Sequence, residues 1–190
     1  MPILPAEPEL FPPDLPSGDT FPFGNGQFWW CLHTKPRQEK ATARYLRSKE
    51  LSHYLPQIAN SGQTPKGRQY RSILPLFSGY VFLLADDRQR VEAFLGNTLV
   101  NVLAIPDQEE FAGEIGQIHR MLSSGLPVGS ADQLPVGARC RILDGPLRGL
   151  VGTIIRRGGR DEFVAAVRFL GRGVKVTLAD WQVERIDHDP

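Results

Sequence analysis

The sequence has little cysteine and no long apolar run. Its 190 residues contain two cysteines, Cys31 and Cys140, which are far apart and form no CxxC pair. This excludes a disulfide framework and a cysteine-based zinc site, and it favours a reducing environment. No apolar stretch approaches the roughly 18 residues that span a bilayer, and the N-terminus shows no basic segment followed by an apolar one. We therefore expect a cytoplasmic protein that does not act in a membrane.

Signatures of catalysis and of metal binding are also lacking. The four histidines do not have the HExxH spacing, Ser78-Gly79 does not lie in a GxSxG turn, and no GxxxxGK[ST] loop occurs. We therefore predict no enzyme, no cofactor and no metal site.

The net charge of +1 conceals strongly charged blocks. Residues 1–27 carry four acids, no bases and seven of the sixteen prolines. Residues 28–85 carry nine bases against two acids, residues 86–132 three against eight, and residues 136–186 ten against five. Two basic blocks separated by an acidic one indicate two modules with surfaces for polyanions. Because proline fixes φ and removes an amide donor, residues 1–27 are predicted to form a disordered extension.

The apolar pattern predicts an α+β domain over residues 28–124. Strand, helix, three strands, helix, strand and helix follow one another, which is typical of helices packed on a mostly antiparallel sheet. The first helix is predicted to run from Pro36 to about Lys49. It would carry basic residues at spacings of three, four and three, namely Arg37, Lys40, Arg44 and Arg47. Such a stripe is either a solvated face or a nucleic-acid contact.

A second, smaller domain is predicted after a linker at residues 125–135. Residues 136–187 contain five short segments rich in β-branched residues and separated by turn signals, which is typical of a small β barrel. Glycines interrupt these segments too often for a helical hairpin, so we predict β structure in the resting protein. The turn Asp144-Gly145-Pro146, followed by Gly149 and Gly152, resembles the KOW motif of ribosomal proteins and transcription elongation factors.

Two segments of the first domain complete a more specific pattern. Trp29-Trp-Cys-Leu-His-Thr-Lys-Pro-Arg-Gln-Glu39 precedes Pro75-Leu-Phe-Ser-Gly-Tyr-Val-Phe82. With the KOW motif further along, they resemble the NusG family, whose N-terminal (NGN) domain has an aromatic first strand, a glutamate in its first helix and a PLFPGYVF-like strand. Ser78 departs from that pattern, where proline is usual. The stretch Thr34-Lys-Pro-Arg37 is more similar to specialised RfaH-like and capsule-locus paralogues.

The resemblance implies an NGN domain at residues 28–124 and an SH3-like KOW barrel at residues 136–187. It implies a monomeric transcription elongation or antitermination factor that suppresses pausing. In this family an apolar depression on the NGN domain receives the clamp helices of the RNA polymerase β′ subunit, and the protein bridges them to the β subunit. The matching positions here are His33, Phe77, Tyr80, Phe82 and Leu103.

Two further contacts follow from the resemblance. RfaH-like proteins approach the non-template DNA strand with positions that match Lys35, Arg37 and Arg44, and Lys40 lies on the same basic stripe. In the family the KOW barrel recruits a small-subunit ribosomal protein or the Rho terminator, through a loop that matches Leu170 and Arg172 here. Leu170 alternatively only covers the mouth of the barrel.

A ribosome-associated or general RNA-binding protein is the competing function. It would bind an RNA backbone through the arginines of the barrel. The sequence pI of about 7.8 is low for a ribosomal protein, and the aromatic segment lies in a separate domain. Both features favour the transcription factor.

Overall fold

The structure is a computed structural model that describes residues 7–16, 20–63, 65, 67–131, 137–157, 160–178 and 183–186. Two compact units are present: the described residues of Met1–Ser17 and Pro22–Gln108 form the first, and those of Gly18–Phe21 and Glu109–Pro190 form the second. The elements of the first unit are β1 (Leu10–Phe11), β2 (Phe28–Thr34), α1 (Glu39–Ser48), β3 (His53–Tyr54), β4 (Gln57–Gln63), β5 (Gln69–Pro75), β6 (Tyr80–Ala85), α2 (Asp87–Phe94) and β7 (Leu99–Ala104). Those that follow are α3 (Gln108–Ser123), β8 (Val128–Ala131), β9 (Ala138–Ile142), β10 (Val151–Arg157), β11 (Arg160–Val167), β12 (Arg172–Thr177) and β13 (Val183–Arg185).

The first unit is built on an antiparallel sheet in the order β1-β3-β6-β2-β7. Side chains alternate between its two faces because strand residues have a period of two. One face packs Leu32, Val81 and Leu83 against Ala43 and Leu46 of α1. The other face carries Cys31 of the central strand β2, with Phe82 of β6 opposite it on one side and Leu103 of β7 on the other. The predicted α+β class is confirmed, with helices on an antiparallel sheet.

The first helix begins later than predicted. Arg37 has a left-handed φ of 61°, which a helix cannot contain, and α1 begins only at Glu39. Arg37 therefore lies in the preceding turn, and the basic stripe on α1 consists of Lys40, Arg44 and Arg47. The prediction that Arg37 belongs to this helical stripe is wrong.

The proline-rich segment is not detached over residues 7–16. β1 pairs with β3, with Leu10 opposite Tyr54 and Phe11 opposite His53. Glu7 and Leu15 are buried. The prediction of a disordered extension is therefore wrong for these residues, because backbone carbonyls accept hydrogen bonds whatever the proline content. Residues 1–6 and 17–19 lie outside the described residues.

The chain from His53 to Gln63 forms two strands rather than one. Pro56 has no amide donor and lies between β3 and β4, so β3 joins the main sheet while β4 pairs only with β5. The β4–β5 pair forms a separate two-stranded ribbon.

The second unit is an antiparallel sheet in the order β13-β9-β10-β11-β12-β8. The predicted β-rich C-terminal region is confirmed. β8, however, lies within the predicted linker and pairs with β12, because its alternating small residues fit beside an unoccupied strand edge. The linker residues 132–135 and the turn at Gly158-Gly159 lie outside the described residues. Among the helices that are described, none is both long and apolar enough to cross a membrane.

Candidate functional site

The register of the first sheet brings four of the predicted partner-binding residues to one face. Tyr80 lies opposite His33, and Phe82 and Leu103 lie opposite Cys31 on its two sides. Directly opposed residues of antiparallel strands share a face. His33 and Tyr80 stack with ring centroids 5.2 Å apart. The fifth residue, Phe77, packs edge-on against Phe82 at 5.8 Å. We call these five residues the aromatic face.

Burial divides the aromatic face into a base and an accessible part. Phe77 and Phe82 are buried, whereas His33, Tyr80 and Leu103 are half-buried. The first two therefore support the surface and the other three are available to a partner. The sequence could not separate these two roles, because an aromatic residue gives the same apolar pattern whether its side chain is buried or accessible.

A buried glutamate fixes the turn that leads into the aromatic face. Glu39, in the first turn of α1, accepts a hydrogen bond of 2.7 Å from the backbone N–H of Gly79. The carbonyl of Gly79 in turn accepts from Thr34 N at 2.8 Å. Gly79 has a φ of 87°, and its Cα faces the His33 ring. Because its φ and both its backbone groups are fixed, the turn holds Tyr80 beside His33.

Burial holds two ionisable groups at the base of the aromatic face in their neutral forms. Burial raises the pKa of the Cys31 thiol to about 12, so the thiol stays protonated. Burial also raises the pKa of the Tyr54 hydroxyl well above its usual value. Tyr54 lies opposite Phe82 and extends the buried base of the face. It was missed by sequence analysis because the short strand β3 precedes a proline and carries no motif.

The predicted nucleic-acid residues are placed around the start of α1, and three of them already bind parts of the same unit. The Lys35 ammonium donates to the carbonyl and the side-chain oxygen of Asn97 at 2.7 and 2.9 Å. Lys40 donates to the carbonyl of Ile73 at 2.6 Å. Arg44 lies 3.2 Å from the carboxylate of Glu7.

Arg37 differs from those three. It projects from the turn before α1 and is exposed. The basic residues are therefore not a uniform solvated stripe, since three of them bind groups of the same unit and Arg37 is exposed to solvent.

The turn between β9 and β10 has backbone conformations and close contacts that require glycine. Gly145 and Gly149 have φ of 75° and 87°, and Gly149 N donates to Ile142 O at 2.7 Å. A Cβ on Gly152 would lie 2.4 Å from Val164 O, so the close approach of β10 and β11 requires glycine there. Asp144 and Pro146 are exposed at the tip of the turn.

The predicted partner loop of the second unit is a short 3-10 turn at Arg168–Leu170, closed by Gly171 with a φ of 65°. Leu170 and Arg172 are both half-buried, whereas Phe169 is exposed. Phe169 is thus the more accessible apolar residue of this turn. It was not among the predicted residues, because it follows directly on β11, where alternation does not reveal which side chain turns outward.

Helix α3 packs in the second unit through polar contacts as well as through its apolar stripe. Gln117 accepts from Val151 N at 2.7 Å, and the buried Glu114 accepts from Arg168 N at 3.1 Å. The Arg168 guanidinium also lies 2.6 Å from Glu110. The Arg120 guanidinium donates to the carbonyl of Arg148, next to the β9–β10 turn.

The fold and the aromatic face define the first unit as an α+β domain whose accessible side chains are suited to protein binding. The family model described as transcription termination factor nusG matches residues 27–120, and this part of the chain belongs to the NusG family of transcription factors. The match ends within α3. A comparison with curated proteins finds no match. A solved structure titled "Domain interaction in Thermotoga maritima NusG" aligns with a TM-score of 0.45 and 18% identity, covering 85% of this chain and 98% of that chain.

Proposed function

We propose that this protein binds RNA polymerase through the aromatic face and acts as an elongation or antitermination factor. The observation that carries the proposal is the stacked His33–Tyr80 pair, half-buried beside Leu103 and supported by buried Phe77 and Phe82. Aromatic side chains held rigidly over an apolar base lose little entropy on binding and are typical centres of protein interfaces.

The proposed occupant is the pair of clamp helices of the β′ subunit, with a further contact to the β subunit. An apolar helix surface would place its side chains between His33, Tyr80 and Leu103, and polar groups at the rim would be satisfied by water. Bridging two parts of the polymerase in this way would suppress pausing or termination. The proposed role is non-catalytic, and its place is the cytoplasm.

Contacts to the non-template DNA strand belong to the same proposal. Arg37 is exposed in the turn before α1, and Lys35 and Lys40 lie on either side of it in the sequence. Their ammonium groups would exchange Asn97 and the Ile73 carbonyl for phosphate. Lys and Arg contacts to phosphates supply affinity without sequence choice. In the second unit, Leu170, Arg172 and the exposed Phe169 are proposed to recruit a ribosomal protein of the small subunit or the Rho terminator.

A ribosome-associated or general RNA-binding function remains the second candidate. It is favoured by the exposure of Arg139, Arg141 and Arg148 on β9 and the turn that follows. The first two lie on one face of β9 because they are two residues apart. Such a row suits an RNA backbone.

The test is a titration of purified RNA polymerase with the full chain. Tyr80→Ala removes an anchor from the centre of the face, so the affinity should fall about 30-fold, or ~2 kcal/mol. Tyr70→Ala is the matched control, because Tyr70 is an exposed tyrosine on β5, away from the face. Equal polymerase affinity of folded Tyr80→Ala and Tyr70→Ala would contradict the proposal. Co-purification with ribosomal subunits rather than polymerase would favour the second candidate.

A further inference from the structure

Glu7, in the proline-rich segment, bridges two arginines of α1. One carboxylate oxygen lies 3.2 Å from Arg44 Nη1 and the other lies 2.5 Å from Arg47 Nη1. The two arginines are three residues apart, so they extend from neighbouring positions on one side of the helix. The carboxylate side chain is only 5% exposed, whereas the arginine side chains are 42% and 35% exposed. The anion is therefore buried beside two arginine side chains that are themselves partly exposed.

The position of Glu7 is fixed by backbone contacts that do not involve its charge. Its carbonyl accepts from the side chain of Gln57 at 2.6 Å, and the carbonyl of Glu9 accepts from Leu55 N at 2.7 Å. β1 then continues along β3 for two residues. The segment is thus held at the edge of the sheet by a short strand, which presents Glu7 to α1 and requires few hydrogen bonds to be broken for its release.

Two guanidiniums arranged in this way match a second kind of anion. Arginine binds carboxylate and phosphate oxygens with the same planar donors, because both anions present two oxygens a short distance apart. Arg44 also belongs to the basic residues proposed to approach DNA. The segment that supplies Glu7 is purely acidic over residues 1–27 and is adjacent in sequence to the most basic block of the chain.

We propose that Arg44 and Arg47 form a binding site for a backbone phosphate of single-stranded nucleic acid, and that Glu7 fills this site as an internal competitor. The proline-rich segment then lowers nucleic-acid affinity until a phosphate takes the place of the Glu7 carboxylate. Because only one anion can occupy both guanidiniums, release of Glu7 and phosphate binding are linked. This inference rests on the proposed contact between α1 and DNA.

The test measures binding of a fluorescein-labelled, mixed-sequence 12-nucleotide single-stranded DNA by the full chain at several salt concentrations. Glu7→Gln keeps the shape of the side chain and removes the competing charge. We expect it to bind about 5-fold more tightly than wild type. Because one more phosphate is neutralised, the slope of log K against log salt should become steeper by about 0.7. Asp14→Asn is the matched control, since Asp14 is exposed in the same segment and its change removes the same charge.

Arg47→Gln identifies the site. It should have little effect in wild type, where Glu7 occupies the guanidinium, and should abolish most of the gain in the Glu7→Gln background. Circular dichroism and thermal unfolding establish that each variant is folded. If Glu7→Gln disturbs the fold, Glu7→Ala replaces it in the same comparison.

Two results would overturn the inference. One is unchanged affinity and salt slope of folded Glu7→Gln, and the other is an equal gain in Asp14→Asn, which would indicate net charge alone. Replacing Lys35, Arg37 and Lys40 together by glutamate distinguishes failure of the Glu7 inference from failure of the proposed DNA contact. If that replacement weakens DNA binding while Glu7→Gln changes nothing, only the inference fails. If neither changes DNA binding, the proposed DNA contact fails too, and the polymerase titration reports on the remaining function independently.

Discussion

Each unit holds a turn by a buried glutamate on a helix, but the two attachments differ in kind. Glu39 of α1 accepts the N–H of Gly79, where the chain enters β6 and the aromatic face. Glu114 of α3 accepts the N–H of Arg168, where the 3-10 turn of the second unit begins. Glu39 makes this contact to a glycine without an ionic partner in the turn. Glu114 also pairs with the guanidinium of Arg168 at 3.3 Å.

The difference indicates how firmly each turn is held. A short hydrogen bond that a backbone N–H donates to a buried carboxylate is little affected by salt, and loss of the carboxylate leaves the donor unsatisfied. An ion pair with a guanidinium that is 55% exposed is screened by salt and is replaced by water at small cost. We therefore expect the turn before β6 to be the more rigid one, and the turn after β11 to respond to ionic strength.

The largest predicted effect is the loss of stability on replacing Gly152 of the second unit by alanine, compared with the same change at Gly79 of the first unit. Gly152→Ala places a methyl group 2.4 Å from the carbonyl of Val164, so β10 and β11 must move apart. The cost should be about 3 kcal/mol of unfolding free energy. Gly79→Ala has space, since its nearest neighbour, the His33 ring, is 3.8 Å away, but its φ is strained. That should cost about 1 to 2 kcal/mol. Thermal unfolding followed by circular dichroism measures both; the reverse order would contradict the packing described here.

Removal of the Glu39 carboxylate should have the next largest effect. Glu39→Ala leaves the N–H of Gly79 without its acceptor and should cost about 2 kcal/mol. Glu39→Gln keeps one acceptor oxygen and should lose much less. Urea unfolding in a Trp181→Phe background, followed by the fluorescence of Trp29 and Trp30, reports on the first unit. Faster amide hydrogen exchange at Gly79 in the alanine variant, but not in the glutamine variant, would assign the loss to this one contact.

Glu114→Ala also removes the acceptor of the Arg168 N–H, but it should be milder, at about 1 kcal/mol, because Arg168 is an exposed residue whose N–H and guanidinium become hydrated. The loss should shrink further at high salt, which distinguishes it from the loss at Glu39. A double-mutant cycle with Arg168→Ala isolates the ionic part. A coupling energy that does not change between low and high salt would show that the two attachments are of the same kind.

The smallest effect is a pH dependence of the first unit. Burial is the main cause that lowers the pKa of His53, which lies on β3 opposite Phe11. Since the folded pKa is below the unfolded value of about 6.5, the neutral form is favoured on folding. The stability is therefore complete above that value and is lost as the pH falls below it, by at most about 1.4 kcal/mol per pH unit. His53→Gln should flatten the profile between pH 7 and 5; an unchanged profile would remove His53 as the cause.

Much of the fold could be predicted from periodicity and turn residues. The aromatic octet, the glutamate of α1 and the glycines of the β9–β10 turn lie in local patterns that specify their neighbours. The attachments made at long range could not be predicted. Glu7 reaches Arg44 across 37 residues and Gln57 across 50. The proline content of residues 1–27 led to a wrong prediction for residues 7–16, because strand pairing requires only carbonyls and a few amides.

The sheet on which α3 packs and the strand with which β8 pairs could not be predicted for a similar reason. The apolar stripe of α3 predicts a helix that packs on a sheet, but a stripe does not specify which sheet. The four residues of β8 are small and carry no apolar pattern, so they were interpreted as part of the linker. Pairing with β12 is a tertiary effect that local propensity does not contain.

A photo-crosslinker at position 80 tests most directly whether the aromatic face binds RNA polymerase. Benzoylphenylalanine replaces Tyr80 in the full chain, which is then mixed with purified polymerase and, separately, with ribosomal subunits before irradiation. The same residue at position 70 is the control. We predict one principal product with the β′ subunit from position 80 and none from position 70. Equal products from both positions, or a product only with ribosomal proteins, would contradict the assignment of the aromatic face to the polymerase.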